Sequence, residues 1–385
     1  MRLITAGSAL AACVLSVTQL SAQSASIVYR LGADTVAIEQ FTRTTTRLTG
    51  EMVQRSGAAV VRVNYDMTLG SDGRATAATV TRLNGDGTAV PNSASSTRFR
   101  FTADSAIREN VFADSVQRRA FPIGKAWVNF PTFVYGPTEL LAAIRKSGTK
   151  VDSLPALGLT GNPGVTGLQP AGGDTLRLRG GAYAMLLRYD ANSRLQLIDG
   201  TFTTNKAIGT RGTKTFDIAA VARGMKPTGV LSVRDVARAS FGAGGMVLID
   251  YGRPMVRERT VWGGTLVPFD SVWRAGANDA AHLFTTRTLA LGSVTLAPGM
   301  YTLWVQHTRA GTFLIVNKQT GQWGTQYDAA QDVGRVQMQM AAAPSHVEEF
   351  TFAVKALAGN RGAIEMSWGS SLFSVPFATS VASAR

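Results

Sequence analysis

VRVNYDMTLGSDGRATAATVTRL, residues 61–83, alternates apolar and polar side chains on both sides of a turn. Val61, Val63, Tyr65, Met67 and Leu69 fall on one face of the first arm, and Arg62, Asn64, Asp66 and Thr68 fall on the other. Period two is the signature of a half-buried strand. Ser71-Asp72-Gly73 supplies the turn that brings a second strand, ending at Leu83, back beside the first. The pattern repeats outward: Asn84-Gly85-Asp86-Gly87 is the next turn, and Arg98 to Phe101 begins another alternating run. Strands are also predicted at Leu176 to Arg179 and Ala182 to Tyr189, with a return through Leu195, Leu197 and Ile198 after a turn at Asp190-Ala191-Asn192. One helix interrupts them, from Pro137 to Lys146. Pro137 suits a first helical position, Glu139 the positive end, Arg145 and Lys146 the negative end, and Gly148 can stop it.

At 385 residues and 45% hydrophobic, the chain can bury two cores. The fold class expected is mainly β: two antiparallel β domains, the first a sheet or partial barrel with one helix, the second sandwich-like, joined by short helices. Residues 26–215 form the first domain and 240–378 the second. The connector, 216–239, contains two helical patterns, Asp217 to Arg223 and Val233 to Ala239, with Ser232 placed to cap the second and Asp235 three residues on. Residues 148–174 are rich in Gly and Pro and lack periodicity, which predicts a long loop. Gly242-Ala243-Gly244-Gly245 precedes a strand and lacks the P-loop lysine, so it does not read as a phosphate loop.

Residues 1–25 have the layout of a secretory signal: Arg2, an apolar run, then small residues around Ala22 to Ala25. The predicted location is therefore the periplasm or the exterior, with lipid anchoring through Cys13 in the lipobox-like Leu10-Ala11-Ala12-Cys13 as the alternative. Cys13 is the only cysteine, so removal of the signal leaves neither disulfide nor thiol chemistry. No later stretch approaches the ~20 apolar residues of a membrane span.

The net charge of +14 is spread thinly, with 23 basic and 14 acidic residues in 23–215 and 15 and 11 in 216–385. No Lys/Arg run or nucleic-acid-binding signature accompanies it, which argues against a nucleic-acid partner. An exported basic protein is drawn instead to anionic polymers or lipid headgroups, an attraction that salt weakens.

From Ala239 to Phe373 a series of landmarks follows in order: YGRPMVRER, VWGGTLVPFDSVWRAGANDA, APGMYTLWV, FLIVNK, WGTQYDAAQDVGR, VEEFTFAV and IEMSW. Arg253-Pro254, the Trp273-Arg274-x-Gly276-Ala277-Asn278 block and the Trp323-Gly324, Tyr327-Asp328, Asp332 and Arg335 spacing carry the match. This third of the chain resembles the bacterial family catalogued as domain of unknown function 2911. The chain departs from the family pattern at Glu258 and Asp270, where glycine is common, and at Ala281, where threonine is common. The resemblance implies an exported or envelope-associated domain and brings no activity or catalytic residue with it.

The segment Tyr251 to Asp279 concentrates Arg253, Arg257, Arg259, Arg274, Trp262 and Trp273 beside a Gly-Ala-Asn-Asp turn. If Met255 to Trp262 is a strand, Arg257 and Arg259 share one face about 7 Å apart. Guanidinium forks suit planar anions, and the internal candidates are Asp250, Asp270, Asp279, Asp328 and Asp332. Trp262, Trp273, Trp304 and Trp323, with Tyr301 and Tyr327, offer either core packing or a stacking platform for a sugar ring. The candidate ligand-binding residues are Arg253, Arg257, Arg259, Arg274, Asn278, Asp279, Trp323, Tyr327 and Asp328. His282, His307 and His346 lack metal-ligand spacing, no Gly-x-Ser-x-Gly elbow occurs, and Glu348 and Glu349 are adjacent on a strand and face opposite ways. No metal or other cofactor is expected. The function read from these residues is binding of a small or polymeric anionic or carbohydrate ligand. The alternatives are an envelope hydrolase with Asp279 or Asp328 as base and His282 as partner, and a structural protein whose arginines only brace the fold.

Overall fold

The computed structural model describes residues 22–146, 152–180, 183–242 and 244–380. The part of the predicted export signal up to residue 21, Cys13 within it, and the predicted helix stop at Gly148 lie outside the described residues. Over the described residues the protein is mainly β, with several antiparallel sheets and no closed barrel among them.

The first fifteen strands make one sheet whose order mirrors the chain twice. Eight strands run outward as a meander from Gln23–Leu31 to Val116–Phe121. Seven more return inward from Trp127–Asn129 to Ile208–Gly212, which pairs with the first strand. All pairings are antiparallel except that of Trp127–Asn129 with Ser153–Gly158. A sheet this wide cannot stay flat, because each strand adds twist. Its two wings curl toward each other over a single core. Phe99, Phe101 and Phe121 from one wing share that core with Leu154, Leu168 and Leu178 from the other and with Leu140, Leu141 and Ile144 of the helix. Arg108 of the first wing donates to the carbonyls of Gly158 and Gly161 in the second, both at 3.0 Å. The two outer edges remain unpaired with each other, so the sheet wraps the helix without closing.

The helix forms where expected, as a short 3-10 turn at Gly136–Thr138 leading into Glu139–Lys146. The loop predicted for 148–174 is corrected by the structure: Ser153–Gly158 and Gly164–Pro170 are paired strands. Leu154, Ala156 and Leu157 on one strand and Thr166 and Leu168 on the other are buried, while Pro155 is exposed. Pro155 and Gly167 take outward positions, the apolar Val165 is exposed, and Ala156 and Leu157 are buried in succession, which together hide the period.

Asp217 caps the helix Ile218–Gly224, accepting from the Ala220 amide at 2.9 Å. Ile218 and Ala222 pack on the outer face of the sheet against Ile38 and Val53. The second predicted helix is overturned, because Arg234–Phe241 is a strand paired along its whole length with Gly245–Gly252. Ala237, Ala239 and Phe241 turn inward at period two, and Ser232 caps no helix. Cross-strand pairing overrides a run that favours helix on its own.

The remaining strands form a seven-stranded and a four-stranded sheet. Their inner faces share one core: Ile249, Leu283, Leu303 and Leu314 on the larger sheet meet Phe350, Phe352, Ile364 and Trp368 on the smaller. The smaller sheet is built on a long hairpin, Gln339–Leu357 with Arg361–Thr379. This is the packing of a β-sandwich.

Candidate functional site

The segment expected to be a strand at Met255 to Trp262 is instead a turn. Arg257 and Glu258 have φ of 49° and 57°, and Met255 and Trp262 each make only an isolated bridge. Left-handed backbone costs a residue with a Cβ, so a glycine is the easier occupant. Asp270 also sits at positive φ, 61°. The two positions where the family pattern favours glycine, 258 and 270, are thus both left-handed. The turn is held by the Glu348 side chain accepting from the Arg257 amide at 2.8 Å and by the Glu348 carbonyl accepting from Val256 at 2.9 Å.

This turn meets the first domain. Arg257 pairs with Asp34 at the tip of the first hairpin. Beside it, Gly32 has φ of 64°, and a Cβ there would lie 2.0 Å from the Arg257 carbonyl oxygen. Only glycine permits that approach. The neighbouring loop before the last strand of the first sheet reaches across in return: Lys206 donates to Thr201 O at 2.8 Å and to Thr265 O, in the other domain, at 3.2 Å.

Between these contacts lies a cluster of cations. Arg259 donates to the Val256 and Met255 carbonyls at 3.0 and 2.8 Å. Arg274 is 5% exposed, its Nε has no hydrogen-bond partner, and Gly324 makes room for its stem, since a Cβ there would fall 2.0 Å from Arg274 Cδ. Among the described residues, no carboxylate lies within ion-pair distance of Lys206, Arg259 or Arg274. Burial lowers all three. Lys206 falls to about 7, with Arg274 and Arg259 adding to the effect, Arg259 falls to about 10 with help from Arg257, and Arg274 falls to about 10. Lys206, Arg259, Arg274 and Asn278 line one small cleft of about 100 Å³. Lys206 and Arg274 also line a second, of about 260 Å³, with Arg177 and Tyr327.

Arg257, Arg259, Arg274 and Asn278 therefore line one cleft, and Arg253 does not. It pairs with Glu349 at 3.0 Å and Asp235 at 3.4 Å. Asp279 lies 3.9 Å from Arg234, which holds Asp250 at 2.6 Å. Trp323 is 40% exposed and donates from Nε1 to Thr204 Oγ1 at 3.0 Å, across the joint. Tyr327 donates to Asp332 at 2.6 Å, and burial followed by that contact pushes its hydroxyl up to about 12. Asp328 caps the short turn after it, accepting from Ala330 at 3.0 Å. Trp273 and Trp304 are buried in the core, which leaves Trp323 as the exposed ring of the supposed stacking platform. Lys206 escaped the sequence reading. It comes from a Thr/Asn-rich turn in the other domain, and a lone lysine in such a turn carries no signal of its own.

The hydrolase pairing does not form. His282 Nε2 accepts from the Gly321 amide at 2.9 Å and no carboxylate is hydrogen-bonded to it; burial and Arg234 lower its pKa against the opposing pull of Asp250 and Asp279. His307 contacts Thr312 and His346 contacts Glu348. No group of three or more metal-ligating side chains occurs among the described residues.

Elsewhere one buried carboxylate stands out. Glu39, wholly buried inside the curled sheet, accepts from the hydroxyls of Tyr29 and Tyr65, both at 2.7 Å, and from the amides of Tyr135 and Gly136, both at 2.9 Å. Burial raises it from 4.5 to about 7 against the pull of these donors.

Fold and site together define a two-part, mainly β protein with a cluster of cations that make no ion pair, among the described residues, at the joint between its parts. The second part has a family: residues 232–377 match the family described as a protein of unknown function, DUF2911. No curated protein and no solved structure matches the chain. Lys206 and Asn205, which complete the cleft, come from outside the matched residues.

Proposed function

We propose that the chain is a binding module for an anionic ligand of the cell envelope, carboxylate or phosphate, seated between the first domain and the DUF2911 region. Export through the amino-terminal signal is part of this proposal, supported by the order of Arg2, the apolar run and the small residues after it. The observation that carries the reading is Arg274, buried with no carboxylate and an unsatisfied Nε, beside Arg259 and Lys206. A buried, unpaired charge costs several kcal/mol, and like charges nearby add to that cost. A bound anion removes both penalties and accepts paired hydrogen bonds from a guanidinium fork. Arg257 differs from the others: its ion pair with Asp34 makes it a brace of the joint.

Calorimetric titration with phosphate, citrate and glucuronate tests the reading on wild type and Arg274→Gln. An anion at one hundred times its dissociation constant adds about 2.7 kcal/mol to stability. Binding should weaken at least tenfold in Arg274→Gln while the free variant melts at or above the wild-type temperature. A variant that melts far lower, with no anion bound by wild type, makes Arg274 a brace and ends the proposal.

A further inference from the structure

We propose that the ligand is an anionic amphiphile, with its head group in the cation cleft and its apolar chain in the adjoining cavity of the first domain. This deepens the anion-binding reading and rests on it. The cavity, about 370 Å³, opens on the concave side of the curled sheet and is walled by Tyr29, Trp127, Phe130, Phe133, Leu178 and Met185. Its volume is that of a small-molecule site. At about 30 Å³ per group, the volume share of a water, it holds roughly a dozen chain carbons.

Three observations join it to the cations. Thr204 and Asn205 line both this cavity and the cleft of Lys206, Arg259 and Arg274, so the two are separated by a rim one residue thick. Thr203 and Thr325 likewise line both this cavity and the second cation-lined cleft. Trp323 stands at the mouth, half-exposed, hydrogen-bonded to Thr204 on that rim.

The wall has two halves: an aromatic and aliphatic one, and a polar one formed by Asn129, Thr132, Thr138 and the Thr203–Asn205 turn that leads to the cations. Glu39 takes the Tyr29 hydroxyl and the Tyr135 amide, which turns the polar end of Tyr29 away from the cavity and leaves its ring as lining. Phe133 is held at φ of 68°, a conformation costly for a bulky residue, with its ring 5.1 Å from that of Tyr29. Strain of this kind persists where surrounding contacts over-determine it.

The test is a chain-length series on the full protein: inorganic phosphate, then butyl, octyl, decyl, dodecyl and tetradecyl phosphate below their micelle concentrations, with octanoate and decanoate alongside. Each methylene should tighten binding roughly three- to fourfold, the factor corresponding to about 0.8 kcal/mol per buried methylene, with a plateau near a dozen carbons. Head-group preference at equal chain length separates a lipid phosphate from a fatty acid. Met185→Trp, which fills the cavity, should flatten the slope per methylene, and Ala207→Leu carries the same expectation should the first variant fail to fold. Phosphate binding with no gain along the series overturns the amphiphile and leaves the anion reading standing. Failure of every member, phosphate included, overturns both.

Discussion

Two buried charges in this molecule are treated in opposite ways. Glu39, inside the first domain, receives hydrogen bonds from two tyrosine hydroxyls and two backbone amides. Arg274, at the joint, is nearly as deeply buried and lines a cleft with two other cations and no ion-paired carboxylate. Neither has an ion-pair partner, so the difference lies in neutral dipoles. Four donors converge on the carboxylate, whereas the guanidinium is left with an unsatisfied nitrogen. A charge whose donors are built in belongs to the fold, and one left open at a cleft belongs to whatever fills the cleft.

The largest effect expected from breaking this contrast is at Glu39. Glu39→Ala strands two hydroxyls and two amides and should cost roughly 3–5 kcal/mol, whereas Arg274→Gln should stay within about 1 kcal/mol of wild type, both read by urea unfolding. Comparable costs at the two sites would erase the distinction. Gly32→Ala comes next. The close approach of the Arg257 carbonyl and a φ of 64° predict a loss of roughly 1–3 kcal/mol and a loosened joint, seen as faster proteolysis there.

The pH response sharpens the same comparison, because the buried carboxylate and the cation cluster carry opposite slopes. Glu39 titrates near 7 when folded and 4.5 when unfolded. The folded chain therefore binds the extra proton across that window, and this contribution to stability is full below 4.5 and lost as pH rises through 7. Lys206 titrates near 7 when folded and 10.5 when unfolded. Here the unfolded chain holds the extra proton, so stability gained from this group rises with pH from 7 to 10.5. Urea midpoints measured against pH should lose the acid-side slope in Glu39→Gln and the alkaline slope in Lys206→Met. Phosphate affinity should likewise fall as pH rises above 7, since the Lys206 proton that favours the anion is already gone. The smallest effect is expected at Arg253→Ala, where half-exposed pairs with Asp235 and Glu349 predict about 0.5–1 kcal/mol and unchanged anion binding.

What could be read beforehand follows from how locally each feature is encoded. Val61 to Leu69 shows its burial in its own alternation, and the Pro137 helix shows its own caps. Residues 153–170 conceal the same alternation because Pro155 and Gly167 face outward, an apolar Val165 is exposed, and Ala156 and Leu157 are buried side by side. Val233 to Ala239 has helical spacing in isolation, and only the partner strand at 245–252 makes it extended. At the site, Arg259, Arg274 and Asn278 could be named because they crowd into one short segment, residues 251–279. Arg253 belongs to the same segment but turns to the carboxylates of Asp235 and Glu349. Lys206 had no local mark at all, since its role exists only once two domains meet.

The mirrored strand order of the first domain has a kinetic consequence. Gln23–Leu31, near the start of the chain, finds one of its two neighbours only when Ile208–Gly212 arrives. Its contacts are therefore among the most non-local in the molecule, and such pairings fold slowly. Until then the first eight strands present an open edge to any other extended chain. A nascent protein of this design is best kept unpaired until its first two hundred residues can meet at once.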